Sequence, residues 1–368
     1  MKHYATLVAM LEQKRLKAAV TLLQQWRKKA PHDPWLTLGL GRYWEATNNL
    51  EKAEAHYRQV LKIGGYTRLI AQARQGIQRI QDAQAQTQAE ALSQSQAQPD
   101  ADAPALLLLE PVLGNARQQA AQGLAKVMQM DTYTARMLIP GKHWRLYRVG
   151  KLGNLRYFGQ QLQAAQTPAF WLPFAAIKSI ATFQVQYIKQ LTPDIQVICK
   201  NAAGELGQIS FTLEEVSQRV KGRLPIFESV VDLGPWGKLQ RKQQTQDYAE
   251  VIDLHLYDRR SVLRFCDRSY QYRHSITLLN PESVPIPTAQ QGWQRINQLL
   301  NHPNHTVYDN FSGFGESALE WLDLLPDFDP HLALKRREPS PWDAAFHMYG
   351  SLCYLRSLQK RAQAKGLT

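Results

Sequence analysis

Four groups of residues in this chain have types and spacings that chemistry could use. Asp253 and His255 stand two apart in an alternating stretch, and Cys266 lies in the stretch that follows. A carboxylate, an imidazole and a thiol brought together could activate the thiol as a nucleophile. The same letters describe the solvated face of an amphipathic strand, with Cys266 as an apolar core residue, and that is the plainer expectation. His302 and His305 (HPNH) could hold a metal, but two ligands alone make a weak site, so a surface loop is expected. Gly313-Phe314-Gly315, in FSGFGES, lacks the lysine that a phosphate cradle needs and reads as a turn. There is no GxxxxGK[ST], strand-borne GxGxxG, HExxH or GxSxG. The expectation is therefore a non-enzymatic protein with no catalytic residue, no metal and no cofactor.

The fourth group is basic. Lys142, Arg145, Arg148, Lys151 and Arg156 interleave with Trp144, Tyr147, Tyr157 and Phe158. Cations for phosphates beside aromatics for bases suit single-stranded nucleic acid or RNA. Alternation of Trp144 and Leu146 with Arg145 and Tyr147 is equally the mark of a half-buried strand. The net charge of +13 is unevenly placed. Residues 1–80 carry 14 Lys/Arg against 5 Asp/Glu, and residues 106–190 carry 10 against 2. Residues 81–105 hold four acids and no base, and residues 191–368 are close to balanced. Attraction for an anionic partner thus belongs to the two basic segments.

What must position these side chains is legible first at the N-terminus. Leu16, Ala19, Leu23 and Pro31 recur 34 residues later as Leu50, Ala53, Tyr57 and Gly65. Leu7, Leu11, Leu16, Ala19, Leu22, Leu23 and Trp26 keep helical spacing over two helices joined near Lys14. Asp33-Pro34 supplies a cap and a first-turn proline for the next hairpin, Asn48-Asn49 its turn, and Gly64-Gly65 its end. Leu40-Gly41, Trp44, Asn48, Leu50, Ala53, Tyr57 and Gly65 resemble the tetratricopeptide-repeat pattern in that family's spacing. The first repeat is degenerate, with Thr6, Leu7 and Met10 at its signature positions, and residues 66–83 read as a capping helix. The resemblance implies stacked helical hairpins in which Gly41 and Ala53 allow close approach while Trp44 and Tyr57 fill the space around them. It implies binding of a protein or peptide.

The chain as a whole reads as multidomain α+β. Residues 1–83 form the repeat module, and residues 84–104, rich in Ala and Gln, a linker that is helical at its start. Residues 105–180 give the order β-α-α-β-α-β, beginning with the buried strand Leu106–Leu109, and are similar in topology to the C-terminal domain of the ribosomal stalk protein. Residues 181–275 alternate as an antiparallel β-rich domain, in the manner of a small pleckstrin-homology-type barrel. Residues 276–368 form a helical extension, in which Ser340-Pro341-Trp342-Asp343 opens a helix burying Trp342, Phe346, Tyr349 and Cys353 along one side.

The functional expectation is a cytoplasmic adaptor or scaffold protein. Three scattered cysteines without a CxxC suit a reducing compartment, and neither a secretory signal nor a membrane-spanning stretch is legible. Arg15, Arg42, Lys52 and Arg58 are the expected contacts to an acidic partner. Nucleic-acid binding through residues 106–190 is the alternative, and attachment to an anionic membrane surface is a further one.

Overall fold

The computed structural model describes residues 2–63, 66–233, 239–275, 288–334, 336 and 339–364. Contacts divide the chain into two units, residues 1–94 and 95–368.

In the first unit, helices α1 (Lys2–Glu12) and α2 (Leu16–Lys29) form one hairpin, and α3 (Pro34–Ala46) and α4 (Leu50–Ile63) the next. The breaks are chemical. Lys14 and Asn48 turn the chain at φ 55° and 58°, and Asp33 caps α3 by accepting the Trp35 N–H at 2.9 Å. Leu7, Ala19, Leu23, Trp26 and Leu36 form one apolar cluster, and Leu38, Ala53, Tyr57, Val60, Leu69, Ala73 and Ile80 a second. Gly41 serves the close approach anticipated for it: a Cβ there would lie 2.6 Å from the Tyr57 ring, and one on Gly76 would lie 2.5 Å away. The expected helix end at Gly64-Gly65 lies outside the described residues. Helix α5 (Thr67–Gln96) passes through the Ala/Gln-rich stretch, because Ala and Gln favour helix even where no core is available.

The second unit opens with a three-stranded sheet in the order β2-β1-β3, built from β1 (Pro104–Leu109), β2 (Arg145–Lys151) and β3 (Ala169–Pro173). The four leucines make β1 central. Leu106 and Leu108 enter one core, and Leu107 and Leu109 enter the core beneath α6 (Ala116–Met128), α7 (Thr132–Leu138) and α8 (Leu152–Ala164). The order β-α-α-β-α-β is therefore present, and the short α9 (Phe174–Lys178) follows it.

Next comes a seven-stranded sheet, β10-β7-β8-β9-β4-β5-β6. Its strands are β4 (Ala181–Gln190), β5 (Ile195–Lys200), β6 (Leu206–Phe211), β7 (Gln218–Leu233), β8 (Leu239–Leu256), β9 (Ser261–Cys266) and β10 (Thr306–Tyr308). Pairing is antiparallel except for β4–β9 and β10–β7, which are parallel. The antiparallel expectation thus needs correcting at two ladders: β9 returns beside β4, and β10 reaches β7 from beyond the β domain. Gly234-Pro235, a pair of the kind that makes a turn between two such strands, lies outside the described residues.

Both faces of this sheet are covered. Ile252, Leu254, Leu256, Leu263 and Phe265 pack with Trp293 and Ile296 of α10 (Ala289–Leu299). Val251 and Cys266 pack with Phe311 and Phe314 of α11 (Phe311–Leu319) and Phe346 of α12 (Pro341–Ala364). Two local expectations change accordingly. Gly313-Phe314-Gly315 is helical rather than a turn, because glycine there lets the His143 and Trp342 rings lie against α11. Helix α12 is buried on every side from Asp343 to Tyr354, not along one stripe. Among the described residues no helix is long and apolar enough to cross a membrane.

Candidate protein-binding face

The polar row of the first unit crosses three helices. Glu45 of α3 accepts two N–H groups from Arg79 of α5, at 2.7 and 3.0 Å, and one from Arg42 at 3.4 Å. It also accepts the Tyr57 hydroxyl of α4 at 2.5 Å. Burial pushes the Glu45 carboxyl up, but the bonds from Arg79 and Tyr57 and the charge of Arg42 outweigh it, so the carboxyl titrates below its ordinary value. Tyr4 of α1 stands within electrostatic range of Arg42, Arg79 and Glu45, with its hydroxyl pushed up by burial. Its ring lies 5.4 Å from that of Trp35, and Tyr43 meets Trp44 edge-on at 5.3 Å. Side chains of Arg42 and Arg79 keep 27% and 42% of their exposure, so both guanidiniums still face water. Half-buried aromatics beside exposed arginines are the usual composition of an interface centre.

The four contacts expected from the sequence are dispersed. Arg42 belongs to this row. Lys52 lies over the Trp44 ring at 4.4 Å. Arg58 pairs with Glu54 on its own helix at 2.6 Å, and Arg15 is exposed in the α1–α2 turn. Sequence reasoning missed Arg79 and Glu45. The signal was there, since the two are 34 residues apart, one repeat period.

In the basic middle segment most of the cations already have partners. Arg145 is held by Glu320 at 2.8 and 2.9 Å, Lys151 by Asp102 at 2.8 Å, and Arg156 by Asp100 at 2.8 and 2.9 Å. Arg148 lies over Phe158, and Lys142 is exposed. Two of the aromatics turn inward, Trp144 packing on Phe170 and Tyr349 and Tyr157 being buried, while Tyr147 and Phe158 are half-buried. Cations neutralised by carboxylates and rings spent on the core leave little for phosphates and bases.

The nucleophile reading also fails, and so does the solvated-face reading beside it. Asp253 and His255 are fully buried. Asp253 takes two bonds from Arg264, its cross-strand partner, at 2.8 and 2.7 Å. His255 Nδ1 lies 2.6 Å from the Gln218 amide, which accepts the Ser357 hydroxyl in turn at 2.7 Å. Cys266 directs its thiol to Asp267 at 3.8 Å, and burial pushes that thiol up to about 12, which leaves it inert as a nucleophile. Among the described residues no group of three or more His, Cys, Asp or Glu could hold a metal. His305 Nε2 instead lies 2.8 Å from the Leu213 carbonyl.

Burial, with the charge of Arg264, lowers His255 to about 3, and burial lowers His347, 3.5 Å from Arg264, in the same direction. A histidine that is neutral when folded binds fewer protons than the unfolded chain once the pH is below about 6.5. Stability contributed by His255 is therefore complete above that pH. It should fall by about 1.4 kcal/mol per pH unit on acidification toward the folded value. Urea unfolding from pH 7 to pH 5 should show this slope, and the variant His255→Gln should show a shallower one. Parallel slopes would contradict the assignment.

Residues 10–65 match the tetratricopeptide repeat family, which points to protein–protein interaction. Neither a curated protein nor a solved structure matches the chain. The resemblance of residues 105–180 to the ribosomal stalk domain gains no support from these comparisons.

Proposed function

We propose that this chain is a non-enzymatic cytoplasmic adaptor that holds an acidic segment of a partner protein on the repeat module. The observation that carries the reading is the half-exposed row Tyr4, Arg42, Glu45 and Arg79, drawn from three helices of a module matching a protein-binding repeat family. Glu45 fixes the two guanidiniums and leaves part of each in water. Carboxylates of a partner would take their remaining N–H groups as charge-assisted bonds, and Tyr4, Trp35, Tyr43 and Trp44 would supply apolar contact. Arg15, Lys52 and Arg58 lie outside this row and would add long-range attraction, in keeping with the net +9 of residues 1–80. Three buried free cysteines accord with a reducing compartment.

Charge reversal separates these roles. The pair Arg42→Glu and Arg79→Glu should weaken the partner complex by about a hundredfold or more, chiefly through faster dissociation. The triple change Arg15→Glu, Lys52→Glu, Arg58→Glu should mainly slow association and flatten the salt dependence. Surface plasmon resonance on the full chain reads both rates. Equal losses from the two sets would contradict a localised contact at Arg42 and Arg79.

A further inference from the structure

The second unit contains a cleft of 570 Å³ on the side of the large sheet that α10 covers. Three cations stand at alternating positions of β7 on that side. Arg219, Lys221 and Arg223 lie opposite Leu254, Ile252 and Glu250 of β8. None of the three forms an ion pair among the described residues, whereas Arg264 and Arg356, also buried in this unit, are each held by a carboxylate. Arg219 is 1% exposed; its guanidinium donates to the Asn297 carbonyl and side chain at 3.3 and 2.6 Å, while its Nε–H meets nothing. A buried guanidinium without a counter-ion is unfavourable unless some anion comes near it.

The opposite rim adds positive potential of another kind. Phe311 and Ser312, the first residues of α11, line the cleft, and Asn310 before them offers no side-chain cap. The opening N–H groups of that helix are therefore uncapped beside the cations, an arrangement that suits an oxyanion. Trp293 forms an apolar wall. Glu250 and Asp309 also line the cleft, but Glu250 accepts the Trp293 indole N–H at 2.7 Å. Burial and the charge of Arg219 lower the pKa of Lys221 in spite of the opposing charges of Asp309 and Glu250, and an incoming anion would act in the direction of those two carboxylates. The volume exceeds that of a bare ion and falls in the range of small-metabolite sites.

We propose that this cleft binds a small metabolite through a phosphate or carboxylate group, held by Lys221, Arg223 and the N-terminus of α11. Arg219 stands behind Asn297 as a buried positioning cation, and the body of the ligand lies along Trp293.

The test is a calorimetric and thermal-shift titration of the full chain with pyrophosphate and with succinate, at constant ionic strength and against chloride. Saturable binding with a rise in Tm is expected for at least one of the two, and the responding anion identifies the head group. Lys221→Gln and Arg223→Gln should each weaken binding by about tenfold. Ser312→Asp should abolish it without lowering the Tm of the unliganded protein, because an acid at that position suits the helix. The site is refuted if neither anion saturates, or if binding is unchanged in Lys221→Gln and Ser312→Asp.

Discussion

Replacing Asp253 with alanine should destabilise the second unit by about 3–5 kcal/mol, a large part of the stability of an ordinary domain. The substitution leaves the Arg264 guanidinium, 1% exposed, without its carboxylate. Its remaining neighbours cannot replace that charge. They are the Pro330 carbonyl, the Phe346 ring at 5.0 Å and a neutral His347. Water is kept out by α12, whose Gly350 lies so close that a Cβ there would sit 2.6 Å from Asp253 Oδ2. Removing both charges, as Asp253→Leu with Arg264→Met, should recover most of the loss, since apolar replacement of a buried pair is often neutral. Urea unfolding of the two variants checks this. A loss below about 1 kcal/mol for Asp253→Ala would mean the pair is solvated.

Tyr57→Ala should cost the repeat module about 3–5 kcal/mol and with it the partner complex. The ring is fully buried between two glycines, and neither neighbouring helix can collapse into the space without breaking the Glu45 network. The converse change is equally informative. Gly76→Ala drives a methyl group into the ring and should cost about 1–3 kcal/mol, but it should be better tolerated when Tyr57 is shortened to leucine. That non-additivity, measured by a double-mutant cycle, is the mark of direct contact. Additive losses would show that Gly76 acts only through helix propensity.

The N-terminal hairpins were legible because their determinants are local. A fixed period, a capping Asp33, a left-handed Asn48 and small residues at helix crossings all lie within a few residues of what they control. The run Leu106–Leu109 announced a strand buried on both faces. The parallel ladder β4–β9 was not legible, because its partners are set by packing between segments about 80 residues apart. The buried pair was partly legible. Counting outward from a turn at Asp258-Arg259 sets Asp253 opposite Arg264, an acid facing a base across one hairpin. Reading Asp253 and His255 as a solvated face overlooked that α12 covers that side. The ion pairs of the basic middle segment were not legible for a similar reason: Glu320, Asp102 and Asp100, which hold Arg145, Lys151 and Arg156, are 49 to 175 residues away. Residues 66–83 read as a capping helix, and that reading hides Arg79, whose 34-residue offset from Glu45 continues the repeat.

The central claim is that the row at Arg42 and Arg79 holds a protein partner. It is tested most directly by nuclease-treated affinity capture from native lysate. The full chain would be run beside the variants Arg42→Glu/Arg79→Glu and Arg145→Glu/Arg148→Glu, each first shown to be folded. The account expects the same protein partner with the wild type and with the Arg145/Arg148 variant, and its loss with the Arg42/Arg79 variant. A partner retained by the Arg42/Arg79 variant, or released by nuclease alone, would contradict it.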